Sequence, residues 1–583
     1  MKKYKKIVHL LPLDHRRFKG LYFFSLIIIL GLFGRLVNLQ VFNASDLQKK
    51  ARLIQTSKTT SLKKRRSIVD RNNRLIAYDK TLYKLWAHPK YFNFPGDSNK
   101  RVRSIEEVVK KLSSVLDVKE EILLKKFNNK KNGIQLLDQI SEEKAEKIKN
   151  LKISGLDLFK YSQRYYPQGE LYSNLVGFVN DENKGVAGLE LHLDNRIEVL
   201  NKSNLIIRGK DGTPLPDNSS PGDFISDHKS LGLTIDSKLQ KASFNALSKQ
   251  VNKWEAKKGF AIVMDVNNGE ILSLVTVPSY DPNKFWQYDS ELFKGWYLQD
   301  LFEPGSTFKP INLAVALEEK VIQKDGLVED SGKINVGGWT LSNWDKKGNG
   351  YIDYPQVLQV SSNVGMVKIM QNLEPTIYWD WLKNLGINTN LETDLYESTA
   401  GHLKKKDIFV NQIIEPAVAS YGKGFSISPL KLVQLHAALA NGGFEVTPHV
   451  TSTFKEKVNI NSKRQFFSYE VTKTILEWME SVVDKGSASD VKIEGYRIAG
   501  KTGTSQKALN GSYTSKKVCS FVAILPVNNP KYVVLVVIDE PSKSNAYGAT
   551  VAVPVAKEII ESLIVIEKIP PNNLKQRVIV KKP

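Results

Sequence analysis

The sequence predicts an α/β domain whose single sheet is assembled from two distant parts of the chain. Two β-rich runs, Phe260 to Val266 and Ile271 to Val277, are joined by Asn267-Asn268-Gly269-Glu270. Asn-Gly tolerates positive φ, so this tetrapeptide is a strong hairpin signal. Helical patterns dominate between residues 305 and 480, and three more apolar β runs follow: Tyr496 to Ala499, Val518 to Leu525 and Tyr532 to Ile538. Strands at both ends with helices between them indicate one sheet covered by helices.

Two further helices are predicted beside these strands. Leu231 to Asp236 leads into a helical stretch from Lys238 to Val251, and a final helix from Val551 to Ile566 is expected to cover the late strands. The chain has 583 residues, which is more than one domain requires. We therefore expect two or three folded units, with the sheet domain at 230–567 and a basic tail at 568–583.

The composition is that of a globular protein with a strong positive charge. Hydrophobic residues make up 41% and charged residues 25%, so disorder is not the default. The net charge of +23 would suit nucleic acid, but no zinc-finger spacing, RNP motif or heptad-linked basic region accompanies it. Lysines and arginines on solvated surfaces near an anionic membrane explain the charge better. We therefore expect that the chain has no nucleic-acid partner.

Cysteine usage limits the chemistry. Cys519 is the single cysteine, which excludes an intramolecular disulfide framework and any multi-cysteine metal site. It lies in the apolar run that ends at Leu525, so we expect a small buried hydrophobe. No metal and no cofactor are predicted.

The N-terminus predicts a membrane anchor. Residues 1–19 carry seven Lys and Arg residues against Asp14 alone, and residues 20–42 are rich in Phe, Leu, Ile and Val. About 20 apolar residues span a bilayer core, and the basic flank is expected to stay in the cytoplasm. A cleaved signal peptide is the alternative, but the stretch is long for one and no small-x-small cleavage site follows it closely. The chain after residue 43 is then expected outside the cytoplasm.

Residues 43–225 predict a domain that carries no chemistry of its own. Glu106 to Leu116 and Ser141 to Leu151 have apolar residues at helical spacing, and Lys- and Asn-rich loops surround them. No catalytic constellation is found in this region. We interpret it as a pedestal that holds the sheet domain away from the membrane.

The first chemical motif is Pro304-Gly305-Ser306-Thr307-Phe308-Lys309. Pro and Gly mark a helix start, and residues three apart project from one face of a helix. A serine hydroxyl needs a base beside it to become a nucleophile, and a lysine can be that base if burial lowers its pKa. Taken alone the signal is weak, because Ser-x-x-Lys also begins at Ser61, Ser141, Ser226, Ser420, Ser428, Ser452 and Ser489.

Two more motifs follow in the chain. Ser361-Ser362-Asn363 lies between two predicted helices, where a hydroxyl and an amide could relay a proton and hold a peptide carbonyl; simple helix capping is the alternative. Lys501-Thr502-Gly503-Thr504 enters a predicted strand. Gly503 would let a ligand approach the backbone, and Lys501 offers a cation to an anionic substrate, unless the motif is only an exposed strand end.

Together and in this order, the three motifs resemble those of the class B penicillin-binding proteins and, within them, the FtsI family of cell division. The resemblance covers nearly the whole chain. Its further matches are Ile68-Val69-Asp70-Arg71-Asn72, Arg164-Tyr165-Tyr166-Pro167, Gly188-Leu189-Glu190, Leu233-Thr234-Ile235-Asp236, Tyr421-Gly422-Lys423-Gly424 and Asn441-Gly442-Gly443. One departure is Arg66, which stands where the family usually has glycine. This puts the local turn of the pedestal in doubt but not the chemistry.

The resemblance implies a penicillin-binding D,D-transpeptidase that acts on the D-Ala-D-Ala end of peptidoglycan stem peptides. The implied fold is a serine transpeptidase/β-lactamase-like domain with an antiparallel sheet flanked by helices, after a transmembrane helix and a pedestal, or dimerisation, domain. By position, the resemblance implies that Ser306 is the acylated nucleophile, Lys309 takes its proton and Ser361 relays protons. Asn363 would bind the substrate backbone. Lys501 and Thr504, with Thr502 and Gly503 beside them, would hold the terminal carboxylate.

The resemblance also implies partners and a location. The lipid-linked precursor is a substrate, β-lactams are inhibitors, and a SEDS-type glycosyltransferase and other division proteins are partners in the bacterial plasma membrane. Ser362-Asn363-Val364-Gly365 favours a division role, because elongation members more often have Asp at the third motif position. An elongation-type transpeptidase and a catalytically idle division scaffold remain the alternatives.

Overall fold

The chain folds into two compact units, one formed by residues 1–63 with 200–227 and the other by residues 64–199 with 228–583. The computed structural model describes residues 15–47, 50, 56–58, 64–92, 104–127, 133–197, 205–207, 230–453, 464–509 and 512–572. The predicted basic tail at 568–583 lies outside the described residues from 573 onward, and so do residues 1–14 of the N-terminal tail.

The smaller unit contains the expected apolar helix. The helix runs from His15 to Val37 and continues as a π-helical turn from Asn38 to Phe42. Its segment Lys19–Phe42, 24 residues, is long and apolar enough to cross a membrane. Its apolar side chains are exposed, as expected for a surface that lipid would cover. A short antiparallel pair joins Thr56–Lys58 to Leu205–Ile207 in the same unit.

In the larger unit, residues 64–197 form a small mixed domain around one long strand. Leu75–Ala87 pairs antiparallel with both Leu156–Tyr165 and Ile134–Ile140. Ile68–Val69 joins the same sheet and pairs in parallel with Leu231–Gly232, which leads into the second domain. The helices of this part are Ile105–Leu116, Glu120–Phe127, Glu142–Asn150, Ser173–Val176, Gly188–His192 and Asp194–Ile197.

The two helices predicted here are present, and serine side chains cap both. Ser104 Oγ accepts from Glu107 N, and Ser141 Oγ accepts from Lys144 N, which satisfies donors that a helix start leaves free. The strands were not predicted. Leu75–Ala87 is long, but its buried and exposed residues alternate irregularly, so the sequence lacks a clean period of two.

A buried charge cluster holds three pedestal segments together. Arg65 Nε donates to Glu190 Oε2 at 2.8 Å, and Arg164 Nε donates to Glu190 Oε1 at 2.7 Å. Arg164 Nη1 also bonds Asp79 at 2.9 Å. Next to the cluster, Arg66 N–H donates to the Ile197 carbonyl at 2.8 Å. Arg66 is not among the described residues with positive φ, so the turn accepts arginine where the family has glycine.

The central sheet of the second domain is five-stranded and antiparallel, as the resemblance implies. Its spatial order is Ala499–Leu509, Ser512–Leu525, Tyr532–Asp539, Lys258–Asp265 and Ile271–Val277. Every residue of Tyr532–Asp539 is buried, so both faces of the sheet are covered there. The predicted hairpin at 267–270 is confirmed, with Gly269 at φ +82°. One sheet is thus built from both ends of the domain.

Helices cover this sheet. Ser237–Lys253 and Val553–Ile566 pack together and against the strands, and Pro429–Ala440 packs against Tyr532–Asp539. The predicted final helix is confirmed, although it breaks at Ala552. The helices of this domain are Ser237–Lys253, Trp296–Gln299, Lys309–Glu318, Tyr354–Gln359, Asn363–Met370, Pro375–Asn384, Lys406–Asn411, Ile414–Ala419, Pro429–Ala440, Tyr469–Lys485, Gly548–Val551 and Val553–Ile566.

Two details differ from the sequence prediction. The strand expected at Tyr496 to Ala499 begins only at Ala499 and runs to Leu509. It includes the polar Lys-Thr-Gly motif, because this segment forms the edge strand of the sheet and pairs with Ser512–Leu525. The region from 305 to 480 is not only helical. Two short antiparallel hairpins interrupt it: Leu327–Asp330 with Gly350–Asp353, and Lys333–Val336 with Trp339–Ser342. We call the segment 327–353 the hairpin insert.

Candidate active site

Ser306 lies in a short 3-10 turn, Gly305–Phe308, that leads directly into the helix Lys309–Glu318. Its side chain is partly exposed, whereas Lys309, one turn later, is fully buried. The turn is held in place from behind: Gly305 N–H donates to the Gly422 carbonyl at 2.9 Å. Gly305 has φ +57°, a conformation that favours glycine. The sequence thus presents the hydroxyl to solvent and buries the amine.

The Lys309 amine has three oxygen neighbours. Nζ lies 2.7 Å from the Ser361 carbonyl, 3.2 Å from Ser361 Oγ and 2.9 Å from Asn363 Oδ1. Burial lowers the pKa of Lys309 well below its ordinary value; the Lys501 cation lowers it further, and the Asp330 carboxylate partly opposes both. A lysine whose pKa is lowered in this way gives up its proton more readily and can act as a base.

Ser361 lies in the turn between the helices Tyr354–Gln359 and Asn363–Met370 and has φ +57°. Left-handed backbone is unusual for a residue with a side chain and is kept where the surroundings impose it. The turn directs both the carbonyl and the hydroxyl of Ser361 toward Lys309. Ser362 is the helix N-cap, since its Oγ accepts from Gly365 N at 2.8 Å. Capping was the alternative interpretation of this motif, and it describes Ser362 only.

Lys501 reaches the same hydroxyl from the edge strand Ala499–Leu509. Its Nζ lies 3.1 Å from Ser361 Oγ and 3.0 Å from the Thr502 carbonyl. The side chain is fully buried, and burial lowers the pKa of Lys501 to about 7. The Lys-Thr-Gly motif is therefore not an exposed strand end.

The remaining residues of this motif contact protein groups. Thr502 Oγ1 and Ser487 Oγ are hydrogen-bonded at 2.8 Å, and Thr504 Oγ1 accepts from Gly548 N at 3.0 Å. A side chain at Gly503 would lie 2.5 Å from Ser520 Oγ and 2.9 Å from Thr307 Cγ2. Gly503 therefore lets the Ser306 turn pack directly on the edge strand.

Asn363 is oriented by both ends of its amide. Its Nδ2 donates to the Ser342 carbonyl at 3.0 Å, which turns Oδ1 toward Lys309. The structure thus brings Lys309, Ser361, Asn363 and Lys501 into direct contact and places Ser306, Thr502, Gly503 and Thr504 on the adjoining turn and strand. All eight predicted site residues lie in one region of the domain.

Two of the competing Ser-x-x-Lys matches have a structural explanation. Ser141 caps the helix Glu142–Asn150, and Ser428 caps Pro429–Ala440 by accepting from Lys431 N. A lysine three residues after a helix N-cap is ordinary in a lysine-rich chain. Ser61 and Ser226 lie outside the described residues.

Sequence reasoning missed several polar residues around the site. Glu303 accepts from Gly424 N at 2.9 Å and from Tyr513 OH at 3.1 Å, and burial raises its pKa. His436 Nε2 lies 2.9 Å from the Thr307 carbonyl. Asp330 and Asn343 in the hairpin insert are buried beside Ser361-Ser362-Asn363. Of these four residues, only Glu303 could have been noticed from the sequence, because it directly precedes the serine motif.

The predicted bland role of Cys519 fits its place in the structure. The thiol is fully buried in the strand Ser512–Leu525, and burial raises its pKa to about 12. A thiol with so little thiolate is unreactive. Cys519 is a core residue.

Comparison with known proteins gives the family. The family model described as "Penicillin binding protein transpeptidase domain" matches residues 259–561, and the "Penicillin-binding Protein dimerisation domain" model matches residues 61–203. The crystal structure of penicillin-binding protein 2X from Streptococcus thermophilus superposes with a TM-score of 0.72 at 21% identity, covering 88% of this chain and 81% of that one. This likeness shows the fold, and the two family models place the chain among the penicillin-binding proteins.

Curated relatives refine this class. A peptidoglycan D,D-transpeptidase FtsI homolog from Mesostigma viride is 40% identical over 573 residues, which cover 93% of this chain and 94% of the relative. Peptidoglycan D,D-transpeptidase FtsI from Escherichia coli (strain K12) is 29% identical over 93% of this chain and 90% of its own length. The chain belongs to the FtsI-type peptidoglycan D,D-transpeptidases. The elongation-type and idle-scaffold alternatives are not favoured.

Proposed function

We propose that this chain cross-links peptidoglycan stem peptides through an acyl-enzyme on Ser306 during septal wall synthesis. The observation that carries the proposal is the meeting of Lys309 and Lys501 at Ser361 Oγ, next to the turn that exposes Ser306. Apolar residues at these two positions would stabilise the fold better than two buried amines do, so a structural role does not explain the lysines. They suit a reaction that needs a base and a cation at neutral pH.

In the acylation step, Ser306 Oγ attacks the carbonyl carbon of the penultimate D-Ala. Neutral Lys309 takes the hydroxyl proton, and its depressed pKa keeps a neutral fraction available. The C–N bond to the terminal D-Ala then breaks, and the leaving amine receives a proton. Ser361 Oγ lies within hydrogen-bond distance of both amines and would pass that proton on.

The substrate is held by charge and by backbone groups. Lys501, with Thr504 and the neighbouring Thr502, would bind the terminal carboxylate. Backbone N–H groups of Ser306 and Thr504 would stabilise the oxyanion, usually a large contribution in acyl transfer. In the second step the amine of another stem peptide attacks the ester carbon, and Ser306 Oγ leaves with the proton restored.

Intact-mass labelling of the detergent-solubilised chain with penicillin tests the proposal. The strained β-lactam amide should acylate Ser306, and the ester should persist for many minutes, because a transpeptidase protects its acyl-enzyme from water. The wild type should gain one penicillin mass, and Ser306→Ala none. The matched control is Ser428→Ala, which alters another Ser-x-x-Lys serine. An unchanged adduct in Ser306→Ala would overturn the site, and no wild-type adduct would favour an idle scaffold.

The proposed location follows from the N-terminal segment. The apolar helix Lys19–Phe42 supports an anchor in a membrane that faces peptidoglycan. We infer a single pass with the basic residues 1–19 in the cytoplasm, because positive charge is retained on that side. The catalytic domain would then work outside the cytoplasm.

The proposed partners are membrane proteins of the division complex, with a SEDS-type glycosyltransferase first among them. Family models match a dimerisation and a transpeptidase domain, which supports a separate protein as polymerase of the lipid-linked precursor. Crosslinking in membranes followed by mass spectrometry of the co-purified proteins tests this. Recovery of elongation proteins alone would contradict the division role.

A further inference from the structure

The hairpin insert 327–353 is a surface element that contains two buried polar residues. Its aromatic side chains Trp339 and Tyr351 are 66% and 74% exposed, whereas Asp330 is 0% and Asn343 3% exposed. Burying a carboxylate and an amide is costly unless each is well hydrogen-bonded. Their partners therefore indicate what the insert is for.

Asp330 is surrounded by donors. Asn343 Nδ2 lies 2.8 and 2.9 Å from its two carboxylate oxygens, Asn349 Nδ2 donates to Oδ2 at 2.6 Å, and Gly332 N–H donates to Oδ1 at 3.0 Å. Burial raises the pKa of Asp330, but these hydrogen bonds outweigh it and the pKa is lowered overall. Asp330 is thus a fixed negative charge that holds Asn343.

Asn343, oriented in this way, hydrogen-bonds to the Ser361-Ser362-Asn363 turn and holds it in position. With Nδ2 turned toward Asp330, its Oδ1 faces the start of the helix Asn363–Met370 and accepts from Asn363 N at 2.9 Å and Val364 N at 3.2 Å. A flipped amide would point hydrogens at both N–H groups, so only this orientation satisfies the network. Asn343 therefore caps the helix together with Ser362.

The capped turn is the one that surrounds Lys309. Asn363 continues the chain of contacts through its own side chain, whose Nδ2 is held by the Ser342 carbonyl while Oδ1 faces Lys309 Nζ. Ser361 keeps its left-handed backbone in the same turn. A displaced Asn363 backbone would move both the amide and the Ser361 hydroxyl away from the amine.

We propose that Asp330 and Asn343 are positioning residues of the transpeptidase site: the buried carboxylate orients the Asn343 amide, which fixes the Ser361–Asn363 turn against Lys309. Both side chains are buried and hydrogen-bonded to protein groups, so the role proposed for them is positioning and not catalysis. The inference rests on the proposed function, because it concerns the acylation of Ser306. It extends the site from three motifs to a fourth element, the hairpin insert.

Asp330 also gives the proposal a readout that a purely structural role would lack. The charged groups that act on Lys309 are Lys501 from the edge strand and Asp330 from the insert. Asp330 favours the protonated amine, so its neutralisation lowers the pKa of Lys309. If neutral Lys309 is the base, the acid limb of the acylation rate then moves to lower pH in Asp330→Asn.

The experiment measures the second-order rate constant for acylation of the full chain by a fluorescent penicillin as a function of pH. Each rate constant is normalised to the number of molecules that can be labelled. Asn343→Ala should lower this rate on the order of 10²-fold at every pH, since small misplacements of reacting groups have such effects. Asp330→Asn should move the acid limb to lower pH. The matched control is Glu329→Gln on the same strand, whose exposed carboxylate bonds Lys368 at 2.8 Å; it should leave rate and limb unchanged.

Normalising to labelled molecules separates positioning from folding. Variants that only destabilise the fold would lower the melting temperature and the labelled fraction, with the rate per active molecule and its pH midpoint unchanged. That outcome in both variants would overturn the inference while the wild type still supports the proposed function. A wild type that is not acylated at all would overturn both.

Discussion

Lys309 and Lys501, which come from a helix and from the edge strand, meet at one atom: their Nζ atoms lie 3.2 and 3.1 Å from Ser361 Oγ. Both amines are fully buried, so a positive charge on one disfavours a positive charge on the other. In the proposed mechanism, the same hydroxyl is then close to the base Lys309 and to the cation Lys501. This coupling gives the site a dependence on pH that can be measured.

Replacing Lys501 by Met should move the acid limb of Ser306 acylation to higher pH. The Lys501 cation lowers the pKa of Lys309, so its removal leaves Lys309 protonated up to a higher pH. The rate at low pH should fall for this reason, in addition to any loss of carboxylate binding. Acylation rates with fluorescent penicillin from pH 5 to 9 check it. Lys492→Met, which removes an exposed lysine paired with Asp484, is the control. A limb that moves down instead would contradict the coupling.

Mutation of the capping serines should affect stability and not acylation. Ser428→Ala removes the cap of Pro429–Ala440, and such a loss costs about 1 kcal/mol. Ser141→Ala should do the same in the pedestal. Thermal melting together with the penicillin mass shift tests both effects in one sample. Loss of the adduct in Ser428→Ala would show that Ser306 is not the sole serine that matters.

His436 should lower the free energy of unfolding in mild acid. Burial lowers its pKa to about 4, from 6.5 for an ordinary histidine. Between these values the unfolded chain binds a proton that the folded chain does not, so the stability contribution is complete above pH 6.5 and is lost as pH falls toward 4. The full loss of unfolding free energy due to His436 is on the order of 3 kcal/mol.

Chemical denaturation at pH 7 and pH 5 measures this effect. In His436→Gln, which can still donate to the Thr307 carbonyl, the loss of unfolding free energy between the two pH values should be smaller than in the wild type. His192→Gln, at an exposed position, is the control and should behave as the wild type. Equal losses in all three chains would refute a buried neutral imidazole.

The pedestal charge cluster should be sensitive to removal of a single partner. Arg164→Ala leaves Glu190 and Asp79 buried without one of their cations, which typically costs 3–5 kcal/mol, so the melting temperature should drop strongly. Lys184→Ala, which breaks an exposed pair with Glu182, should change stability by less than about 1 kcal/mol. Similar melting temperatures for the two variants would mean that the cluster contributes little.

The topology is open to a direct test. A phosphatase that is active only outside the cytoplasm should be active when fused after residue 60, because the basic N-terminal flank keeps residues 1–19 inside. A fluorescent reporter that folds only in the cytoplasm should be dark at the same position. The opposite pattern would place the catalytic domain on the wrong side for peptidoglycan.

Several features of this protein depend on local sequence pattern and could be predicted without the structure. Apolar length predicts the helix Lys19–Phe42, Asn-Gly predicts the hairpin at 267–270, and three short motifs predict the residues that meet in the candidate site around Ser306 and Lys501. Each signal lies within a few neighbouring residues, because turn geometry, helix periodicity and motif chemistry act over that range.

Which distant groups meet, by contrast, depends on how the folded chain packs. Nothing near Asp330 or Asn343 in sequence indicates that a surface hairpin insert would bury them against the Ser361 turn, and Arg65, Arg164 and Glu190 come together from three separate segments. The burial of Lys309 and Lys501, which lowers the pKa of both, likewise depends on how helix and sheet pack. A side chain's pKa and partners are properties of its surroundings in space, and those form only when the chain has folded.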